Sequence, residues 1–175
     1  MRESKSVDTA ETAWRSFLHS LDRVWTKLGL ECKAHPRLQS WWSNRLKVRG
    51  DDMLLRYLHH ARNSDEHTLT EVVSLHGGRL SIQPPAGGKK AYLQSIVIGD
   101  DPSTAQVEYT GAPLQIERHP PHLRLETVYD RGVHYAPPTE HLLRPLAEAD
   151  PLTVAALGLA YCSQMLDDAE TRLLV

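Results

Sequence analysis

Cysteine is nearly missing from this sequence: Cys32 and Cys162 are the only two in 175 residues. Two are too few for a disulfide framework or a cysteine-built zinc site, which points to a reduced, cytoplasmic chain held by burial and hydrogen bonding. A dominant charge is missing as well. Lys and Arg number 20 against 22 Asp and Glu, a formal net charge of −2, so there is no global attraction to nucleic acid and any phosphate ligand needs a local basic patch. Long apolar runs are absent too. The longest, PLTVAALGLAYC, falls short of the roughly 20 residues of a membrane span, and MRESKSVDTAETAW has no apolar centre to serve as a signal peptide, so no membrane partner is expected. LHGGRL and PAGGKKAY lack the spacing of a phosphate-cradling loop, and no serine or cysteine stands in a nucleophile elbow.

What is present reads as α+β: a helical bundle of three N-terminal helices and a long C-terminal helix, with a small antiparallel β-sheet inserted. Asp8 and Glu11 form a capping-box pattern, and Trp14, Phe17, Leu18, Leu21, Trp25 and Leu28 follow at helical spacing up to Gly29, the expected stop. Pro36 suits the first turn of a second helix reaching Val48, with Leu38, Trp41 and Trp42 as its apolar surface and Gly50 closing it. Asp51 or Asp52 can cap a third helix with the stripe Leu54, Leu55, Leu58, Ala61, Leu69, Val72 and Val73, ending near His76-Gly77-Gly78.

From Arg79 to Ala136 the period becomes alternating. LSIQ, YLQSIVI, AQVEY, PLQIER and HLRLETVYD are strand-like runs separated by turn-forming segments, and Asp130-Arg131-Gly132 suits a hairpin into VHYA, giving one sheet of about four to six strands. A connector with one helical turn follows. Asp150-Pro151 then starts the closing helix, with Leu152, Ala155, Ala156, Leu159, Leu166 and Leu173 as its apolar positions and Gly158 and Ala160 thin enough for close packing. The whole is one domain: a helical part over 1–78, the β insertion over 79–136, and the connector and closing helix over 137–175.

The third helix contains a polar step, ARNSDEH. At 100° per residue, Arg62 and Asp65 fall within the apolar arc, where they can pair with each other, while His60, Asn63 and His67 fall on the opposite face. Arg62 to His67 resembles the R-N-x-x-x-H motif of the HEPN superfamily, helical domains many of whose members are metal-independent ribonucleases of toxin, phage-defence and RNA-processing systems. The resemblance implies cleavage of RNA through its own 2′-hydroxyl, with His67 as general base or acid, Arg62 holding the phosphate and Asn63 orienting the pair, and with no metal or cofactor. It also implies a homodimer, with the site composite across the two-fold, and a cognate antitoxin or operon partner. LLRYLHHARNSDEH further resembles uncharacterised bacterial proteins.

Arg37, Trp41, Trp42, Arg45, Lys47 and Arg49 interleave cations with aromatics just before that helix, a pattern able to follow a phosphate backbone and stack a base. The same pattern equally describes core tryptophans with a solvated basic face. His59, His60 and His67, and the set His119, His122, His134 and His141, lack the two-ligand spacing of a helical metal site. Two functions therefore stand: an HEPN-like endoribonuclease centred on Arg62 and His67, or a non-catalytic bundle that binds a protein or small ligand.

Overall fold

The computed structural model describes the backbone of residues 2–67 and 72–174 and the side chains of 9–64 and 72–174. Expectations that fall on the side chains of Asp8, Asp65, Glu66, His67 and Leu69 lie outside the described residues. The chain divides into two compact units, Met1–Ser74 with Arg124–Val175, and Leu75–Leu123. Among the described residues no helix is long and apolar enough to cross a membrane.

The first unit is helical. It contains α1 (Arg2–Ala34), α2 (Pro36–Asp51), α3 (Met53–His67) and α4 (Pro151–Leu174). The buried side chains of α1, Trp14, Leu18, Leu21, Trp25, Leu28 and Cys32, recur every three or four residues, as a stripe facing other helices must. The helix neither starts at the Asp8 capping pattern nor stops at Gly29. A Cβ at Gly29 would stand 2.8 Å from Cζ2 of Trp42, so the missing side chain lets α2 press its indole against α1, and the helix runs on to Ala34. Trp25 and Trp42 pack with ring centroids 5.6 Å apart.

Asp52 caps α3 as expected, accepting from the Leu55 amide at 2.8 Å. Its carboxylate also accepts from His141 Nδ1 at 3.0 Å and from the Leu142 amide at 2.6 Å, which ties down a hairpin the sequence reading took for a connector. That hairpin pairs β9 (Glu140–His141) with β10 (Arg144–Pro145) through Leu142 and Leu143, both at positive φ. The third helix is shorter than its apolar pattern suggests. It is described through His67, and by Val73 the chain is already strand β1 (Val73–His76), with Val72 and Val73 buried.

Asp150 caps α4 through the Leu152 and Thr153 amides at 2.9 and 3.0 Å. The buried face of α4 is Pro151, Val154, Gly158, Tyr161, Cys162, Met165 and Ala169. The expected leucine face is rotated away: Leu152, Leu159, Leu166 and Leu173 are all exposed. Close approach decides the phase, since a Cβ at Gly158 would meet Leu58 Cδ1 at 2.7 Å and only a thin face admits α3 that near. Hairpin β7 (Val128–Asp130) with β8 (Val133–Tyr135) completes this unit, turning through Arg131 and Gly132 at φ 50° and 84°.

The second unit is built of strands. There β2 (Arg79–Gln83) pairs antiparallel with β5 (Gln115–His119), and β3 (Ala91–Val97) with β4 (Gln106–Gly111), with a register shift between Leu93 and Ser95. Where the chain passes between units, β1 pairs with β6 (His122–Leu125). The strand runs occur where expected, but as separate two-stranded ladders rather than one sheet. Asp101 and Arg118 organise the second unit: Asp101 accepts from the Ser103 amide and hydroxyl at 2.8 Å each, and Arg118 donates to the Ser103 and Ala105 carbonyls at 2.9 and 2.8 Å.

Candidate functional site

The polar step of α3 is bound to the β7–β8 hairpin. Asp130, at the end of β7, is nearly sealed from solvent and accepts two hydrogen bonds on one oxygen, from His60 Nδ1 at 2.7 Å and from Asn63 Nδ2 at 3.1 Å. Burial pushes its carboxyl up, but the hydrogen bonds from His60 and Asn63 outweigh this and hold the group below the usual carboxylate range. An ionised Asp130 requires a proton on His60 Nδ1. Tyr135 stacks flat on the same imidazole, centroids 3.7 Å apart and planes 9° from parallel. His60 is thus fixed in orientation and tautomer, and its Nε2 makes no hydrogen bond among the described residues.

Arg62 faces the other way. One terminal nitrogen donates to Asn63 Oδ1 at 3.3 Å, and the other lies 3.4 Å from Asp22 Oδ2 on α1. Arg62, Asn63, Asp130 and His60 therefore form one chain of contacts from the core side of α3 to its outer side. Arg62 also borders a small, partly open cavity of about 10 Å³ with Asp22, Arg49, His59 and apolar side chains, room for about one water molecule. Burial lowers the pKa of His59 to about 4, helped by the neighbouring Arg49 guanidinium and the His60 ring and opposed by Asp22 and Asp130, so this imidazole is neutral at physiological pH.

The face carrying His60 and Asn63, opposite the apolar arc of α3, is covered by the chain's own β7–β8 hairpin. Arg62 is partnered by Asp22, 40 residues earlier in the chain; the side chain of His67 lies outside the described residues. The six residues of the basic stretch separate. Trp41 and Trp42 are buried, and Trp41 Nε1 donates to Asp168 Oδ2 at 2.6 Å. Arg45 reaches the same carboxylate at 3.4 Å and lies 5.4 Å from the Trp41 ring centroid, while Arg49 lies 4.7 Å from that of Trp25. Arg37 and Lys47 are exposed.

Asp130, Tyr135 and Asp22 are the members that sequence reasoning missed. The Asp-Arg-Gly turn was readable as a hairpin, yet nothing local joins Asp130 to a histidine 70 positions earlier. In comparison with known proteins, no family model, curated protein or solved structure matches this chain.

Proposed function

We propose that the chain is a metal-independent endoribonuclease of the HEPN kind, acting through α3. The observation that supports it is the contact chain Arg62–Asn63–Asp130–His60, which places a guanidinium, an amide and an oriented imidazole within one turn of helix. Cleavage through the 2′-hydroxyl needs one group to take the proton from O2′ and another to give a proton to the departing O5′ as the P–O5′ bond breaks. His60 and His67 are the two groups, one on each side of Arg62 and Asn63 along a helix that rises about 1.5 Å per residue. Arg62 neutralises the phosphate and the charge that builds on it in the transition state, and Asp22 and Asn63 hold its guanidinium in place.

A second reading draws on the same contacts. Asp22 already neutralises Arg62, and Asp130 clamps the hairpin to α3, as in a binding domain without catalysis. The two readings separate when purified protein is incubated with RNA in EDTA and fragments ending in 2′,3′-cyclic phosphate are scored. Arg62→Ala and His67→Ala should abolish cleavage, His60→Ala should lower it by about 10² to 10⁴-fold, and each variant should keep the wild-type circular dichroism. Equal cleavage by wild type and all variants, or none by any, leaves the clamp alone.

A further inference from the structure

Strand β3 has a neighbour on one side only. Among the described residues it pairs with β4 alone, and the segment from Tyr92 to Ile98 exposes five large apolar side chains: Tyr92 63%, Leu93 50%, Ile96 39%, Val97 61% and Ile98 60%. A bare strand edge with apolar side chains is what proteins usually blunt or cover, and a two-stranded hairpin is marginally stable by itself. The ends of this segment carry opposite charge. Lys89 and Lys90 precede it and Asp100 follows it, all exposed. Neither the Lys90 ammonium nor the Asp100 carboxylate enters a hydrogen bond or ion pair among the described residues, whereas Asp101 is taken up by Ser103.

We infer that β3 is the seam of a homodimer, in which β3 of a second copy adds antiparallel to the free edge. Setting Lys90 of one copy against Asp100 of the other fixes the register: Tyr92 then faces Ile98, Leu93 faces Val97, and Ser95 faces its own copy on the two-fold. Every exposed apolar residue but Ile96 gains an apolar partner, and both ends gain an ion pair. A parallel arrangement would oppose lysine to lysine and aspartate to aspartate, which cross-strand pairing disfavours. The register shift between Leu93 and Ser95 lies beside the axis, so both copies bend at the same point. The backbone hydrogen bonds of the added strand supply affinity and the charges supply direction. This seam is independent of the α3 site.

Sedimentation equilibrium on the full chain tests it by charge reversal. Wild type should dimerise, more weakly as salt rises. Lys90→Asp and Asp100→Lys should each weaken the dimer about tenfold or more, since both symmetric pairs turn repulsive. An equimolar mixture of the two variants should form a heterodimer with wild-type affinity, because every pair in it is again opposite in charge. The double variant should dimerise like wild type, and its recovery excludes misfolding as the cause of the single losses. A wild type that stays monomeric at hundreds of micromolar overturns the inference. So does a dimer indifferent to both reversals. If that dimer is split by Leu159→Glu, the exposed leucine face of α4 is the interface instead.

Discussion

In the helical unit α1, α2 and α3 each turn a stripe of large side chains inward, so that all four tryptophans and Leu18, Leu38, Leu54, Leu55 and Leu58 are buried; in the strand unit, Ser103 and Ala105 are the only buried residues. Both units are rich in apolar residues. They differ in where the second layer comes from. Helices α1 to α4 cover one another, with Gly29 and Gly158 bringing them close, whereas the two-stranded ladders of Leu75–Leu123 have no layer of their own to pack against. The helical unit can draw stability from burial; the strand unit has backbone ladders and the Asp101 and Arg118 hydrogen bonds, and its apolar surface is left for a partner.

The largest expected effect lies in the helical core. Leu58 is almost fully buried and touches the thin face of α4 at Gly158, so Leu58→Ala should cost about 2–5 kcal/mol, read as a lower urea midpoint by tryptophan fluorescence. All four tryptophans, Trp14, Trp25, Trp41 and Trp42, lie in the helical unit, so this signal reports that unit alone. A loss below about 0.5 kcal/mol would mean that the helical core tolerates a cavity as well as an exposed strand does, and the contrast would collapse.

How far the fold could be read from the sequence follows the same division between local and distant causes. The Asp52 and Asp150 caps, the strand runs and the Asp130-Arg131-Gly132 turn are set by neighbours in sequence, and all were legible. Gly29 looked like a stop because the indole that needs its bare Cα belongs to Trp42, on the next helix. The phase of α4 was misread for a related reason: leucines are more hydrophobic than Gly158, Cys162 and Ala169, but α3 approaches too closely for a leucine face. Of the site, Arg62, Asn63 and the ionisable character of the turn were legible. The Asp130 carboxylate that fixes His60 and Asn63 was not, because no period or motif links α3 to a turn so far along the chain.

An intermediate effect comes from acid. His59 has a folded pKa of about 4, below its value of about 6.5 in the unfolded chain, so the unfolded chain binds the extra proton first. Its contribution to stability is fully present above pH 6.5 and is lost as pH falls from 6.5 toward 4. The loss should be roughly 2 kcal/mol, allowing for the water that reaches a half-buried ring. Asp130, held below the usual carboxylate range, acts in the next window: its contribution is present above about pH 4 and disappears as pH falls through the lowered folded value. Urea midpoints measured by tryptophan fluorescence should therefore decline in two stages, and His59→Gln should flatten the upper one. An unchanged upper slope in that variant would assign the acid sensitivity to another group.

The smallest effect should come from Leu93, a residue of the same chemistry as Leu58 but half exposed on the edge of β3. In dilute protein, Leu93→Ser should change stability by less than about 0.5 kcal/mol, because little surface returns to water when the side chain was already wet. Tryptophan fluorescence is blind to this strand, so the measurement is amide hydrogen exchange in the β3–β4 ladder, which should match wild type at low concentration. As concentration rises, wild-type protection should increase and the variant should lag, because a seam formed by Leu93 against Val97 covers Leu93 only in the dimer. A large loss in dilute protein would make Leu93 a core residue of the strand unit. That unit would then own a second layer, and its exposed leucines and valines would no longer call for a partner.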